Sequence, residues 1–312
     1  MSIYGNDRDV TARIKTTDVG AVNREVDRIF VHLYPGGATA RLDRAFADLA
    51  SLYRGQYPGY LPCDTAYHDI QHVLDVTLAM ARLIDGCERG RSETAALGAE
   101  LFELGVITAL FHDSGYIRNL AEADRKGAEF TVIHVSRGAR FLMDYLPRIG
   151  MESLAPIAAS LIHFTGYERP VADIPVPTLA HRLLGNLLGS ADIIAQMSDR
   201  CYLEKCRDRL YPEFVWGGIA RKKRPDNGNE EVLFSSAEDL LYKTPDFYDG
   251  ANRRLQQDLQ GSFTFAERHF GGQNLYIAGV EKNIRFARKF RDSHDEGLLK
   301  RIPPVTLADK KR

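Results

Sequence analysis

Apolar residues recur at intervals of three and four along almost the whole chain, and the alternation that marks a half-buried strand is nearly missing. That period lays one apolar stripe along a helix, so the chain is expected to build its core between helices. Val22, Val26, Ile29, Phe30 and Leu33 carry the pattern over residues 22–33, and residues 45–53 continue it. Residues 67–83 set Ile70, Val73, Val76, Leu78, Met80 and Leu83 on one broad face. Further helices are expected over 97–111, 132–146, 154–163, 179–197, 200–210 and 275–290. Tyr57-Pro58-Gly59, Gly166, Pro170, Pro175 and Pro177 supply the breaks between them. The expected fold is all-α and compact. A helical extension over 1–59 and another over 211–312 flank a central unit over 60–210.

One stretch departs from this texture. Residues 216–236 hold Gly217-Gly218, the basic run Arg221-Lys222-Lys223-Arg224, and Pro225-Asp226-Asn227-Gly228. They are expected to form a long surface loop, of the kind that often serves as a lid. Ser236, with Asp239 three residues on, fits the N-cap of a following helix.

The charge balance excludes several function classes. With 41 basic and 42 acidic side chains the formal net charge is -1, so no global field draws the protein to nucleic acid or to an anionic membrane. No apolar run is long enough to span a bilayer, and the start of the chain lacks an apolar signal core. Cys63, Cys87, Cys201 and Cys206 form no CxxC pair, which fits reduced thiols in a cytoplasmic protein.

The chemistry-bearing residues are histidines and aspartates lodged in apolar surroundings. His68 and His72 are four apart, so on a helix they would share a face. Two histidines so spaced can bind one metal, or one can bind while the other donates a proton. Residues 101–111 run apolar into His112-Asp113. A buried carboxylate there is costly without a cation, and its two oxygens can bridge two. Asp192 is a lone acid inside the apolar residues 183–197, and it invites the same reading. His134 and His163 stand in further helical stretches.

Taken together these motifs resemble the HD superfamily of metal-dependent phosphohydrolases. Tyr67-His68-Asp69-Ile70-Gln71-His72-Val73-Leu74-Asp75-Val76 is similar to the YHNxxHxxDV signature of class I cyclic-nucleotide phosphodiesterases, with Asp69 where that signature has Asn. Leu110-Phe111-His112-Asp113 is similar to their HD step, and Ser190-Ala191-Asp192 to their last metal aspartate. His134-Val135-Ser136-Arg137-Gly138-Ala139 resembles the HxxxGA step of dinuclear HD-GYP-type proteins, although the GYP signature itself is missing. The resemblance covers roughly residues 60–210. It implies a helical HD core in which His72, His112, Asp113 and Asp192 hold a first divalent ion. It further implies that His134 and His163 bind a second ion, and that His68 is the general acid. No glutamine stands in the context those phosphodiesterases use to hold a base. Gln196 and Gln273 were the candidates.

The implied reaction is hydrolysis of a phosphate ester, a monoester or a diester with a nucleotide among the candidate substrates, by metal-activated water. His68 and Asp113 would be the catalytic residues. His and carboxylate donors suit Zn, Mn, Fe or Mg and do not choose among them. Arg118, Lys126 and Arg137 are candidates for the phosphate oxygens of a small substrate, and Glu129 for orienting a ligand. A related histidine and aspartate set in some HD proteins holds two irons and oxidises substrates with O2. A regulatory HD protein with weak catalysis is a third reading. The sequence leaves homo-oligomerisation open.

Overall fold

The computed structural model describes residues 5–90, 96–223 and 230–306. Arg224, residues 225–229 of the expected loop and the tail from residue 307 lie outside the described residues. The fold is all-α, with one short pair of strands.

α3 (Ile70–Glu88) is the centre of the molecule. It is buried nearly all round, which requires neighbours on every side. α1 (Val19–Leu33), α4 (Gly98–Leu110), α7 (Leu179–Ser198) and α11 (Phe265–Phe270) supply them. α2 (Ala40–Arg54) packs on α1 and α4, and α12 (Leu275–Ser293) packs on α7. The helices of the two expected extensions therefore share one hydrophobic core with the central stretch, from Val22 to Phe290. Among the described residues no helix is long and apolar enough to cross a membrane. None of the four cysteines forms a disulfide.

Helix starts follow local chemistry. Asp18, Asp69, Thr178, Ser236 and Asn274 each accept a backbone N–H from the first turn of the helix they precede. Asp69 corrects one expectation. Its side chain accepts from the His72 N–H at 2.9 Å and starts α3 at Ile70. His68 thus lies before the helix and does not share a helix face with His72. The cap also accounts for aspartate where the resembling signature has asparagine, since both residues cap well.

α5 (His134–Tyr145) crosses the turn that follows α4 at very short range. A Cβ on Gly115 would stand 1.9 Å from the His134 carbonyl oxygen, and one on Gly138 would press on Ile162 and on the His112 carbonyl. These two glycines let the His134 backbone meet the His112-Asp113 turn.

The helix from Tyr202 to Trp216 is broken in phase. α8 (Tyr202–Lys205) and α9 (Tyr211–Trp216) are joined by a π-turn at Cys206–Leu210, where the Tyr211 N–H donates to the Cys206 carbonyl. Pro212 accounts for it. Its ring has no N–H to donate and would collide with the carbonyl four residues earlier, and the wider turn relieves that contact.

The stretch 216–236 is not simply a loop. β1 (Arg221–Lys223) pairs antiparallel with β2 (Glu230–Val232), with Lys222 opposite Glu231. Charged and glycine-rich sequence hides so short a pair from periodicity. α10 (Ala237–Arg253) follows from the Ser236 cap.

Candidate metal centre

Two elements bring three donor atoms within 4.8 Å of one another, and a third sets Asp192 beside them. His72 projects from the first turn of α3, His112 and Asp113 from the turn after α4, and Asp192 from the middle of α7. His72 Nε2 stands 3.3 Å from Asp113 Oδ2, 3.5 Å from Asp192 Oδ1 and 3.3 Å from His112 Nε2. His112 Nε2 is 3.2 Å from Asp113 Oδ2 and 3.9 Å from Asp192 Oδ1. Donors held about 2.0–2.2 Å from a common ion sit about 2.9–3.5 Å from their neighbours, in octahedral to tetrahedral arrangements. Four of the five separations fall in that range, and the fifth exceeds it by a few tenths of an ångström.

The hydrogen bonding agrees with a cation at that point. No hydrogen bond reaches Asp113 Oδ2, although the atom is fully buried. The other ring nitrogen of His112 donates to the Ala109 carbonyl at 2.8 Å, which leaves Nε2 as a lone pair aimed at the carboxylates. Buried lone pairs facing one another at this range repel unless a positive charge lies among them. Without an ion a proton does that work. Burial opposes it, but Asp113 and Asp192 push His112 up to about 9. Asp113 is in turn held well below the usual carboxylate range. Burial would raise it, and His112, His72 and His68 outweigh that. His72, His112 and Asp113 form a cluster that could hold a metal ion, with Asp192 close to both histidines.

Asp113 also has a second side. His134 Nε2 is 3.8 Å from Oδ1, while His134 Nδ1 donates to the Thr131 carbonyl at 2.6 Å. Burial lowers the His134 pKa from its ordinary value, against the pull of Asp113. His163 is not drawn into the cluster in the same way. Its Nδ1 is 2.5 Å from Glu168 Oε1, and it is Glu168 that reaches the cavity wall.

His68 stands beside the cluster, its ring centroid 5.8 Å from that of His72. Its Nδ1 is 2.6 Å from Glu213 Oε2, and Glu213 Oε1 accepts the Tyr67 N–H at 2.6 Å. Burial would lower the His68 pKa, but the Glu213 charge and hydrogen bond, with Asp113 and Asp192, raise it overall. Tyr116 stacks on His68 at 4.3 Å and on His134 at 4.5 Å, fixing both planes. Gln196 has a place after all: its Nε2 lies 3.3 Å from Asp192 Oδ1, and its Oε1 accepts from the Tyr67 hydroxyl.

His68, His72, Asp113, His134 and Asp192 line a cavity of about 870 Å³. The expected phosphate-binding cations do not line it. Arg137 donates to the Gly115 and Ile117 carbonyls and to both oxygens of Glu122, and lies 3.7 Å over the Phe130 ring. Arg118 pairs with Asp64 and the Arg125 carbonyl, and Lys126 is exposed elsewhere. Glu129 closes the Gly127–Phe130 turn through the Lys126 N–H rather than orienting a ligand. Lys222 and Lys243 are the basic residues of the cavity wall among the described residues.

No protein-family model, curated protein or solved structure matches this chain.

Proposed function

We propose that the protein is a metal-dependent phosphohydrolase. The reading rests on the orphaned Asp113 Oδ2, buried at the meeting point of His72, His112 and Asp192. His72, His112, Asp113 and Asp192 would hold a divalent ion, which would supply Lewis acidity for activating water and neutralising phosphoryl charge. The rest falls to the chain's own side chains. Glu213 orients the His68 ring through Nδ1 and favours its protonated form, so that His68 Nε2 is placed to give a proton to the leaving oxygen. Tyr116 holds the ring plane, and Gln196 holds Asp192 in its ligating rotamer. His134, on the other side of Asp113, would be a ligand to a second cation if one is bound.

Metal analysis of untagged protein with a panel of phosphomonoesters and phosphodiesters tests this reading. The expected result is bound divalent metal and phosphate release that a chelator abolishes. Two irons with oxygen consumption, and no phosphate release, would replace it with the oxidase reading.

A further inference from the structure

Beyond the metal centre the cavity changes character. Its wall runs along Ile193, Leu210, Phe214, Ile219, Phe234 and Leu240. Phe214 and Phe234 stack at 5.7 Å and present one continuous aromatic surface. The few polar groups along this wall are already engaged. The Thr131, Thr165 and Thr244 hydroxyls donate to the Ala128, Ile162 and Leu240 carbonyls. Gln196 is held between Asp192 and Tyr67, and Glu168 by His163. Lys243 donates to the Leu233 carbonyl and to Asp239. Of the other lining donors among the described residues, Lys222 and Tyr167 are exposed to solvent, which leaves little on this wall for the edge of a base or the hydroxyls of a sugar. A polar body placed here would lose its water and gain little in return.

The volume points the same way. About 870 Å³ lies toward the upper end of small-molecule sites, and a phosphate with a short carbon chain would leave most of it unfilled. We infer that the substrate is a phosphate monoester of a predominantly apolar alcohol. Its phosphate sits at the His72, His112, Asp113 and Asp192 cluster, and its carbon body lies along the wall from Ile193 to Phe214 and Leu240. This rests on the phosphohydrolase reading and narrows it away from nucleotides. In the reaction a water oxygen bonds to phosphorus and the bond from phosphorus to the alcohol oxygen breaks. The leaving oxygen takes the His68 proton, and the products are inorganic phosphate and the free alcohol. Water restores the proton to His68.

The test uses the full-length protein saturated with Mn²⁺. Binding of butyl-, hexyl- and octylphosphonate, which cannot be hydrolysed, is measured by calorimetry. Phosphate release is then measured on the matching alkyl phosphates and on adenosine monophosphate. Burial of each methylene is expected to lower Kd about three- to fourfold. The kcat/KM for the alkyl phosphates should rise in step, and adenosine monophosphate should do no better than butyl phosphate. Phe214→Ala should flatten the dependence on chain length. A Kd that does not change from butyl to octyl, or a nucleotide preferred over octyl phosphate, overturns the inference. Steep chain-length dependence with no phosphate released from any ester keeps the apolar ligand and overturns the hydrolytic reading alone.

Discussion

Asp9 and Asp113 are both buried carboxylates held below their ordinary pKa, and they are built in opposite ways. Asp9 is complete. Its oxygens accept from Thr11, from the Arg13 and Ile14 N–H groups and, at 2.6 Å, from the fully buried Arg82. Arg82 goes on to the Tyr276 hydroxyl, so the group fastens the N-terminal segment to α3 and α12. Its cation is a guanidinium that never titrates. Asp113 has neighbours in place of partners: imidazoles that can be neutral, a second carboxylate nearby, and one oxygen with no hydrogen bond. A buried acid whose bonds are all made is architecture. A buried acid set among other donor atoms and left open could hold a cation from outside.

The largest test sets the two against each other. Asp113→Asn should lose the bound metal, and phosphate release should fall to background, while Asp9→Asn keeps metal stoichiometry. In chelator-treated protein the order reverses. Asp9→Asn should cost about 3–5 kcal/mol by stranding Arg82. Asp113→Asn should cost less, because the imidazoles beside it can give up a proton where Arg82 cannot. Thermal melts with and without chelator measure both, and equal losses in the metal-free state would make Asp113 a second structural acid.

His68 and His72 sharpen the comparison within the site. His72→Ala should empty the metal site. His68→Ala should leave metal bound and lower kcat about 10²- to 10⁴-fold. The loss should shrink for nitrophenyl esters, whose leaving group needs no proton. An equal loss on every ester would reduce His68 to packing.

A smaller effect is expected from Glu213→Gln. Removing that charge lowers the His68 pKa, so the protonated form is lost earlier as pH rises. The alkaline limb of the rate profile should move toward acid with little change in metal content. An unmoved limb would assign it to another group.

The last test concerns pH and the complete acid. The Asp9 pKa is depressed: burial raises it, and Arg82, the Ile14 N–H and Thr11 together outweigh that. Its contribution to stability is therefore present above the unfolded value near 4, and it is lost as pH falls through the folded pKa. Denaturant midpoints below about pH 4 should fall less steeply in Asp9→Asn than in the parent protein.

Much of this was legible in the sequence. Apolar periodicity marked α1, α4, α7 and α12 close to their ends, because those helices bury continuous faces. His112-Asp113 and Asp192 stood out because charge in an apolar run demands a partner. What stayed hidden was contact between distant segments. Glu213 reaches His68 across 145 positions, and no local pattern in either segment announces the pairing. Arg137 looked available for phosphate because sequence does not show carbonyls, and three neighbouring groups had already claimed its guanidinium. The start of α3 differs from the expected one for a simpler reason. Asp69 is itself a cap signal, and it outweighs the apolar pattern that runs through Tyr67.

The π-turn ahead of Glu213 gives the helix one residue more than a regular spiral would hold. Each residue added to an α-helix rotates all that follow by about 100°. The aim of the Glu213 carboxylate is thus set by Pro212, which touches no ligand and carries no charge. Pro212→Ala would remove the reason for the insertion, and a helix free to rewind would swing Glu213 away from His68. A residue with no charge of its own therefore acts as a timing mark, and replacing it should loosen the Glu213–His68 contact while leaving the His72, His112 and Asp113 cluster in place.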